Sequence, residues 1–462
     1  MKRLWISLSC ILAAAAGGCT ARPAVSGAAE GAPGGRADFR QIVQHAKDRV
    51  FPAVVYIKCL SESHETGKRV TQEVAGSGVI ISPTGEILTN WHVVDKAVEV
   101  RCLLLDGSAL SARVVGSDKD TDLALIQLDR PEGAADLPFA PMGQSAALRE
   151  GDFVMAMGAP WGMNRSVSIG IISCTARYLP ERSEYTLWLQ TDAAISPGNS
   201  GGPLVDTEGR IIGINTLGIL RGGGDTGFAI PSDTAGLIVE RLRRHGKADW
   251  TWTGLQLQPL RDFDRAIYFE GDQGVIVAGT DLHSPARRAG LLGQDRILRI
   301  NGRPVTARTN EDLPAVRRLL GLLPAGQQVA LEVRRGGEIM EVAFTPRDKG
   351  DVEGEELDCP RWDMTVKTIN QFDNPDLHFH RPEGVYIFGV KSPGNASAAG
   401  LREQDIILTI DGRTITTLDD LRGVHVEAVE NVRQKHRVVV SVLRNGLMRQ
   451  VVLDFSRDYE QR

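Results

Sequence analysis

The chain has little of what marks several common protein classes. Six of its 462 residues are cysteine, and no two form a Cys-x-x-Cys pair, so the usual zinc and dithiol redox motifs are excluded. Basic residues number 53 and acidic residues 58, which leaves a formal net charge of −5 and none of the basic excess of a nucleic-acid-binding protein. We therefore expect no nucleic-acid partner.

The N-terminal apolar run is too short to cross a bilayer. It covers residues 4–16, whereas a membrane-spanning helix needs about 20 residues. Two basic residues precede the run, and it ends in Ala-Ala-Gly-Gly-Cys. This pattern predicts a signal peptide over residues 1–19, either with Cys19 lipidated as in bacterial lipoproteins or with simple cleavage and release. Residues 20–37, rich in glycine, alanine and proline, are expected to be a flexible linker.

Glycine, in contrast, is abundant, with 50 residues. From residue 50 to 235, short apolar runs such as GSGVIIS, DLALIQL and RIIGINT alternate with turn signals and lack helical spacing. This pattern is typical of an antiparallel barrel or sandwich. Residues 233–245 are predicted to form a helix that ends at Gly246.

The C-terminal half contains an internal repeat. The stretch SPARRAGLLGQDRILRINGR at 284–303 is similar to NASAAGLREQDIILTIDGR at 395–413, and Asp295 matches Asp405 at an offset of 110 residues. A constant offset over this distance predicts two copies of one domain. The charged segment 348–360 is predicted to link them.

The stretch TDAAISPGNSGGPL, residues 191–204, places a serine among small residues. It is either an ordinary tight turn or a backbone shaped around Ser200. A serine nucleophile needs a histidine base, a carboxylate that orients the histidine, and backbone N–H groups directed at the developing oxyanion. Gly198 lacks a Cβ atom and can adopt the conformation that directs its N–H and that of Ser200 into one pocket.

Candidates for the base and the carboxylate lie upstream. His92 follows an apolar strand in TNWHVV, although a core histidine beside the preceding tryptophan is the alternative. Asp122 immediately precedes an apolar run in SDKDTDLALIQLD, whereas Asp118 and Asp120 are expected to be solvated turn residues. The chain order histidine, aspartate, serine is the chymotrypsin order and differs from that of subtilisin and the α/β-hydrolases.

Together these motifs resemble the HtrA (Deg) family of serine proteases, over residues 38–458. The resemblance implies a mainly β protein. It implies a chymotrypsin-like double β-barrel protease domain at 38–247, followed by two PDZ domains, each a small α+β sandwich or barrel, at 250–347 and 361–458.

The same resemblance assigns roles to the site residues. His92 would be the general base, Asp122 its orienting group and Ser200 the nucleophile, with the N–H groups of Gly198 and Ser200 as the oxyanion hole and with no metal or other cofactor. Asn199 stands where relatives activated by clipping carry an aspartate that pairs with the new N-terminal amine, so we expect activation without clipping. In the family, activation comes from ordering of loops, for which 195–201 and 217–227 are candidates. An ordinary hairpin is the alternative for the second loop.

The residue six positions before the serine bears on specificity. It is Ala194, so the base of the S1 pocket, which holds the side chain before the cleaved bond, carries no charge there. By resemblance, Ile214 and Phe228 are the walls of this pocket. A small apolar pocket favours valine, alanine or isoleucine, because burying a lysine ammonium without a partner is costly.

PDZ domains bind a peptide C-terminus as an added strand and hold its carboxylate on backbone N–H groups. By resemblance, the carboxylate-binding loop of the first copy consists of Trp252, Thr253, Gly254 and Leu255. In the second copy, Met364 stands where the glycine does, and Asp363 adds a charge that repels a carboxylate. We therefore expect the first copy to be the better peptide binder, with the second serving assembly or another ligand.

Two further groups of residues raise smaller questions. Cys59 and Cys102 fall on the first and fourth predicted strands, which are neighbours in such a barrel, so they are either a disulfide or two buried free thiols. His378 and His380 in DNPDLHFH have no further ligands at metal spacing nearby, and a surface loop at 373–380 is the better interpretation.

The resemblance implies an exported, ATP-independent serine endopeptidase that degrades unfolded or damaged proteins in the bacterial cell envelope, in the periplasm. Its partners would be unfolded polypeptides and exposed C-termini, and it would form a homotrimer, or a multiple of one, through residues 38–51. One alternative is a peptide-binding chaperone or scaffold with a gated or silent protease domain. Another is a regulatory protease with one dedicated membrane-bound substrate. The shortness of segment 61–75 favours a less occluded trimer, whereas the two PDZ copies favour the broad-range type.

Overall fold

The computed structural model describes residues 38–160, 165–180, 182–221 and 224–459. The predicted signal peptide, its Cys19 and the linker that follows lie outside the described residues. No described helix is long and apolar enough to span a bilayer.

A helix, α1 (Phe39–Val50), precedes the first β-barrel. The barrel closes in the order β1-β2-β3-β6-β5-β4. Its strands are β1 Val54–Ser63, β2 Val70–Ile80, β3 Glu86–Thr89, β4 Ala97–Leu103, β5 Ala109–Asp118 and β6 Leu123–Leu128. One short helix, α2 (Trp91–Val94), follows β3. Buried residues of these strands form the core because alternate side chains of a strand point to opposite faces.

The second barrel closes in the order β10-β11-β12-β9-β8-β7. Its strands are β7 Phe153–Gly158, β8 Ser166–Tyr178, β9 Leu187–Thr191, β10 Pro203–Val205, β11 Ile211–Arg221 and β12 Gly224–Pro231. The β11–β12 pairing continues as far as Arg221 and Gly224, so the described part of loop 217–227 is a β-hairpin. The predicted helix follows as α3 (Ser232–His245), with Gly246 at its C-cap in the left-handed conformation.

The first repeat forms a PDZ domain whose main sheet has the order β14-β17-β18-β20-β21. Its strands are β13 Thr251–Trp252, β14 Leu255–Gln258, β15 Arg261–Asp262, β16 Ile267–Tyr268, β17 Val275–Thr280, β18 Arg296–Ile300, β19 Arg303–Pro304, β20 Val329–Arg335, β21 Glu338–Phe344 and β22 Arg347–Asp348. Its helices are α4 Pro285–Arg288 and α5 Leu313–Gly321.

The second repeat forms a sheet with the order β23-β24-β25-β26-β28-β29. Its strands are β23 Glu356–Cys359, β24 Met364–Thr368, β25 Val385–Val390, β26 Ile406–Ile410, β27 Arg413–Thr414, β28 Arg437–Arg444 and β29 Leu447–Asp454. Its helices are α6 Pro375–His380, α7 Asn395–Ala399 and α8 Leu418–Glu430. The mainly β architecture of two barrels followed by two PDZ domains is confirmed.

The matching aspartates of the repeat have a structural role. Asp295 and Asp405 are 1% and 0% exposed. The guanidinium of Arg335 donates two hydrogen bonds of 2.6 Å to Asp295, and Arg444 does the same to Asp405. A bidentate pair of this kind satisfies both oxygens of the buried carboxylate at once. It therefore tolerates little substitution in either copy.

Two local expectations from the sequence differ from the structure, and one open alternative is decided. Residues 348–360 are not only a linker, because they supply strand β23 to the second PDZ sheet. The segment expected as a loop around His378 is helix α6. Cys59 and Cys102 are buried free thiols rather than a disulfide. They lie on paired strands, but Cys102 pairs with Ile57, so the two cysteines are not opposite each other.

Asp118 joins the first barrel to the start of the first PDZ domain. Its side chain accepts a hydrogen bond of 2.9 Å from Trp250 Nε1 and is further bonded to Thr121. Trp250 stacks on Tyr185, with the ring centroids 4.2 Å apart. Asp118 is only 6% exposed, so the expectation of a solvated turn residue is wrong. Short sequence context cannot reveal this, because the partner lies 132 residues away.

Asp118 should make stability depend on pH. Burial, reinforced by the nearby charge of Asp120, raises the pKa of Asp118 from 3.8 to about 6. The folded state then binds this proton more tightly than the unfolded chain, so this group lowers stability as pH rises from about 4 to about 6. We predict that the apparent Tm of Asp118→Asn, relative to that of the parent, rises by about 2–4 °C when the pH is raised from 4.5 to 7.

The measurement is thermal unfolding of parent, Asp118→Asn and Asp129→Asn across this pH range. Asp129 is exposed and serves as the control. The new carboxamide does not match Thr121, and the resulting loss of stability does not depend on pH. It therefore cancels when the difference between variant and parent is compared across the pH range. Parallel curves for Asp118→Asn and the parent would contradict the prediction.

Candidate active site

The histidine and the aspartate predicted from sequence are in contact. His92 Nδ1 lies 2.9 Å from each carboxylate oxygen of Asp122. The His92 backbone N–H also donates to Asp122 Oδ1 at 3.1 Å. The side chain of His92 is 41% exposed, which rules out the alternative of a core histidine. A proton held on Nδ1 leaves Nε2 free to accept one, as a general base requires.

The backbone around Asp122 fixes this carboxylate in place. Asp122 adopts a left-handed conformation with φ 57°, which aspartate tolerates better than most residues. Its N–H donates to Lys119 O at 3.2 Å, and its carbonyl accepts from the Trp91 N–H at 3.2 Å and from Asn90 Nδ2 at 2.9 Å. The orienting group is therefore held through its main chain as well as its side chain.

Asn90 connects the two barrels at this point. Its amide also donates to Thr216 Oγ1 on β11, at 3.1 Å, and the residue is completely buried. The Ser200 hydroxyl donates to the carbonyl of the same Thr216 at 2.9 Å. One buried amide thus connects the turn of Asp122 to strand β11 beside the serine. Sequence reasoning missed both Asn90 and Thr216, although a polar residue two positions before His92 was an available signal.

In this arrangement the Ser200 hydroxyl is directed at Thr216 O. Attack on a peptide carbonyl requires transfer of this proton to His92, so the hydroxyl must rotate away from Thr216 first. The turn itself is held against the first barrel, because the Ser77 N–H donates to Ser200 O at 2.8 Å.

The glycine-rich turn leaves two N–H groups unpaired. Gly198 has φ 95°, a conformation that favours glycine, and its carbonyl accepts from Ser77 Oγ at 2.6 Å. Among the residues that the structure describes, no hydrogen bond occupies the N–H of Gly198 or of Ser200. These are the two donors predicted for the oxyanion hole, and a hole needs donors that are free.

The geometry of the turn also explains why residue 201 is a glycine. Gly201 has φ 85°, and a Cβ atom there would lie 2.1 Å from Ser77 O and 3.2 Å from Asn90 N. Only glycine allows the turn to approach strand β2 and the residue before helix α2, which carries His92, so closely. Asn199 is 4% exposed and accepts from Ser166 Oγ at 3.3 Å, so its carboxamide is bonded to a neutral partner.

The residues predicted for the S1 pocket differ in how deeply they are buried. Ala194 is half-buried, Phe228 is 5% exposed, and Ile214 is fully buried in the core. Ile214 therefore has no surface for a substrate, and the residue beside Ser200 on β11 is Thr216. A β-bulge at residues 215–217 shifts the strand, which counting along the sequence could not reveal.

Two other apolar residues lie at this place. Leu217, the next residue of β11 after Thr216, is half-buried and pairs with Phe228. Ile195 directs its side chain at Gly227, where a Cβ atom would lie 2.8 Å from Ile195 Cδ1. Both add apolar surface near the predicted pocket base.

The predicted carboxylate-binding loop of the first PDZ domain borders a cavity. The cavity has a volume of 610 Å³ and is lined by the loop Trp252, Thr253, Gly254 and Leu255. Strand β14 and the end of helix α5 line it as well. Strand β14 pairs along one edge with β17. Within the described chain its other edge is free to accept a strand.

The second PDZ loop has a different register from the one predicted. Leu255 pairs with Thr280 and Met364 with Val390, so Met364 is the counterpart of Leu255. The counterpart of Gly254 is Asp363, which has a left-handed φ of 54°. The alignment with Met364 at the glycine position is therefore wrong, because the offset of 110 residues does not hold through the loop.

The turn that carries Asp122 also contacts the linker after the first PDZ domain. Lys349 Nζ donates to Asp120 at 2.7 Å, and Lys119 Nζ to Glu353 at 2.5 Å. Asp120, like Asp118, is thus a paired residue and not a solvated one. The orienting carboxylate lies within a few residues of these contacts.

Comparison with known proteins agrees with this geometry. The profile of the trypsin-like peptidase domain matches residues 76–214, and that of the PDZ domain matches 253–345 and 362–454. A protein of Halomonas elongata named probable periplasmic serine endoprotease DegP-like is 36% identical over 380 residues, 80% of this chain and 77% of that protein. One of the same name from Chlamydia muridarum is 32% identical over 400 residues, 85% of this chain and 77% of that protein.

Solved structures of HtrA-type proteases are also similar. The HtrA-type protease AlgW with a tripeptide aligns with a TM-score of 0.57 and 33% identity, over 66% of this chain and 96% of that chain. The same protease with a decapeptide aligns with a TM-score of 0.56 and 31% identity, over 67% and 99%. On these similarities and on the His92–Asp122 geometry, the chain belongs to the HtrA, or DegP-like, family of trypsin-like serine endoproteases with two PDZ domains.

Proposed function

We propose that this serine endoprotease degrades unfolded or damaged proteins in the bacterial periplasm. The observation that carries the proposal is the His92–Asp122 pair next to a glycine-rich turn whose oxyanion donors are free. In the proposed reaction, Ser200 attacks the peptide carbonyl while His92 accepts its proton. Asp122 stabilises the imidazolium that forms, and the N–H groups of Gly198 and Ser200 hold the oxyanion.

Recognition of substrates is proposed to involve the first PDZ domain. A C-terminal segment would add to the free edge of β14 and place its carboxylate at the Trp252–Leu255 loop. The 610 Å³ cavity at this loop supports the proposal. The relatives named DegP-like are described as periplasmic, and AlgW has been solved with peptides.

Assembly and anchoring are further parts of the proposal. Residues 38–51, which contain helix α1, would contribute to a homotrimer or a multiple of one. A lipid on Cys19 would attach the protein to a membrane surface, and the signal-peptide pattern supports this step. A single lipid anchor followed by a glycine-rich linker would leave the protease domain free to meet substrates.

The triad is tested with unfolded casein. We expect cleavage by the parent, none by Ser200→Ala, and about 10⁴-fold slower cleavage by Asp122→Asn, because the asparagine holds the wrong histidine tautomer. Rates are measured by release of acid-soluble peptides, with thermal unfolding as the control for folding. Equal cleavage by parent and Ser200→Ala would overturn the assignment of Ser200 as the nucleophile.

Suppressed aggregation without any cleavage would favour the chaperone alternative, and cleavage of one membrane protein alone would favour the dedicated protease.

The S1 pocket is tested with matched peptides that differ only in the residue before the cleaved bond. Because Ala194, Ile195 and Leu217 are uncharged, we expect kcat/KM for valine to exceed that for lysine by at least about 100-fold. The constants are measured by chromatography of the products. A preference for lysine or arginine would show that a carboxylate from elsewhere enters the pocket.

The lipid anchor is tested by fractionation of cells that express the full chain. We expect the parent in the membrane fraction and Cys19→Ser in the soluble fraction, because one cysteine carries the anchor. Cys10→Ser, inside the apolar run, is the matched control and should behave like the parent. A parent found only in the soluble fraction would indicate simple cleavage and release.

A further inference from the structure

The two PDZ domains differ at the strand edge that would bind a peptide. In the first domain, β14 is the end of its sheet. In the second domain, the corresponding strand β24 pairs on that edge with β23. The register runs from Glu356 opposite Lys367 to Cys359 opposite Met364. Strand β23 thus occupies the position of an added peptide strand.

Strand β23 also has the direction of a bound C-terminus. It is antiparallel to β24, and its last residue, Cys359, lies at the loop where a peptide carboxylate would be held. The chain then continues through Pro360 into the loop, so no free carboxylate is needed. The Asp363 side chain there is 2% exposed, pairs with Lys391 at 3.1 Å and accepts from Asn395 N–H at 2.9 Å.

The side chains of β23 fill the groove. Cys359 is completely buried, Leu357 is half-buried, and both pack in one cluster with Leu418 and Leu421 of helix α8. Alternate residues of a strand share a face, so these two side chains enter the space that the side chains of a peptide would take. Burial raises the pKa of the Cys359 thiol well above its usual range, which makes this thiol unreactive while it stays in place.

Ion pairs hold the start of β23 to the protease domain. The Glu356 side chain is 7% exposed and lies 2.5 Å from Lys96 Nζ and 3.4 Å from Lys367 Nζ. His64 Nδ1 lies 2.9 Å from the other carboxylate oxygen. This contact is an ion pair only when the imidazole is protonated. The Arg69 N–H donates to Asp358 at 3.2 Å.

The hairpin between β1 and β2 packs on the same sheet. Thr365 Oγ1 donates to His64 O at 2.5 Å. A Cβ atom at Gly67 would lie 2.1 Å from Lys391 N, and one at Gly389 would lie 2.4 Å from Glu65 O. The two backbones are therefore in direct contact, and strand β23 lies where the second PDZ domain meets the first barrel.

We propose that the peptide groove of the second PDZ domain has this chain's own segment Glu356–Cys359 as its ligand. The groove is therefore closed to C-termini of other proteins, and its role is to attach the domain to the first barrel. This assignment goes beyond the proposed function and does not depend on catalytic activity. The two copies of one fold thus divide the work: the first keeps an open edge, and the second uses its edge internally.

Hydrogen exchange of the full chain carrying Ser200→Ala tests the assignment directly. The two domains are each other's control, because the same strand is a free edge in one and paired on both sides in the other. We expect residues 364–368 to exchange as slowly as the central strand 406–410, and part of 255–258 to exchange at least about tenfold faster. Exchange of 364–368 as fast as that of 255–258 would overturn the assignment.

A peptide probe tests whether the groove is closed. The probe is the heptapeptide Glu-Gly-Glu-Glu-Leu-Asp-Val with a free carboxylate, which copies residues 353–358 and ends in valine. We expect it to leave the exchange of 356–359 and 364–368 unchanged at millimolar concentration. Faster exchange of 356–359 together with continued protection of 364–368 would mean that the probe displaces β23, and it would overturn the closed groove.

Thiol labelling tests the ion pairs of Glu356. Iodoacetamide modification of Cys359 is followed by peptide mass spectrometry in the parent, Glu356→Gln and Glu355→Gln. Glu355 is the exposed neighbour and the matched control. We expect labelling at least about tenfold faster in Glu356→Gln only, because two lysines lose a buried partner. The buried Cys102 should stay at the parent rate in all three, which excludes general unfolding. Equal rates at Cys359 in all three proteins would overturn the role of Glu356.

Discussion

Five consecutive residues, 118–122, form a turn that connects the aspartate paired with His92 to the following domain. Its last residue, Asp122, orients His92 through two 2.9 Å contacts. Its first residue accepts from Trp250 at the start of the first PDZ domain, and the residues between pair with Lys349 and Glu353. Asp122 has a left-handed backbone conformation, and its N–H donates a hydrogen bond to the Lys119 carbonyl. The carboxylate that contacts His92 therefore shares one short piece of main chain with the contacts that dock the following domain.

The acidic segment after the first PDZ domain is the counterpart of this turn. Its charges would leave an isolated linker extended and solvated. Here Glu353 and Glu356 meet lysines of the first barrel, and burial of Glu356 is offset by the hydrogen bond and charge of Lys96 and by the charges of Lys367 and His64, so the pKa of Glu356 is lowered. A segment that reads as a linker becomes an ordered strand because its partners lie on two different domains.

The PDZ repeat shows how one core supports two edges. The Asp295–Arg335 and Asp405–Arg444 pairs have the same bidentate geometry in both copies. The cores can therefore stay alike while the edges diverge, because an edge strand needs only backbone hydrogen bonds to accept a partner. In the first copy this edge borders a 610 Å³ cavity, and in the second it is paired with β23.

The strand-rich fold and the repeat could be predicted from the sequence, because hydrophobic alternation and repeated motifs depend on neighbouring residues. The pairing of His92 with Asp122 could be predicted from the order of the motifs and the resemblance to a known family. The sequence also predicted Ser200 as the nucleophile and the N–H groups of Gly198 and Ser200 as the oxyanion donors. The folded chain was needed to show that Asp118 is buried, that Thr216 rather than Ile214 lies beside the serine, and that residues 356–359 form a strand. Each of these depends on a contact with residues distant in sequence or on a bulge that shifts the register. Pairing energies between distant residues are not encoded in any local pattern.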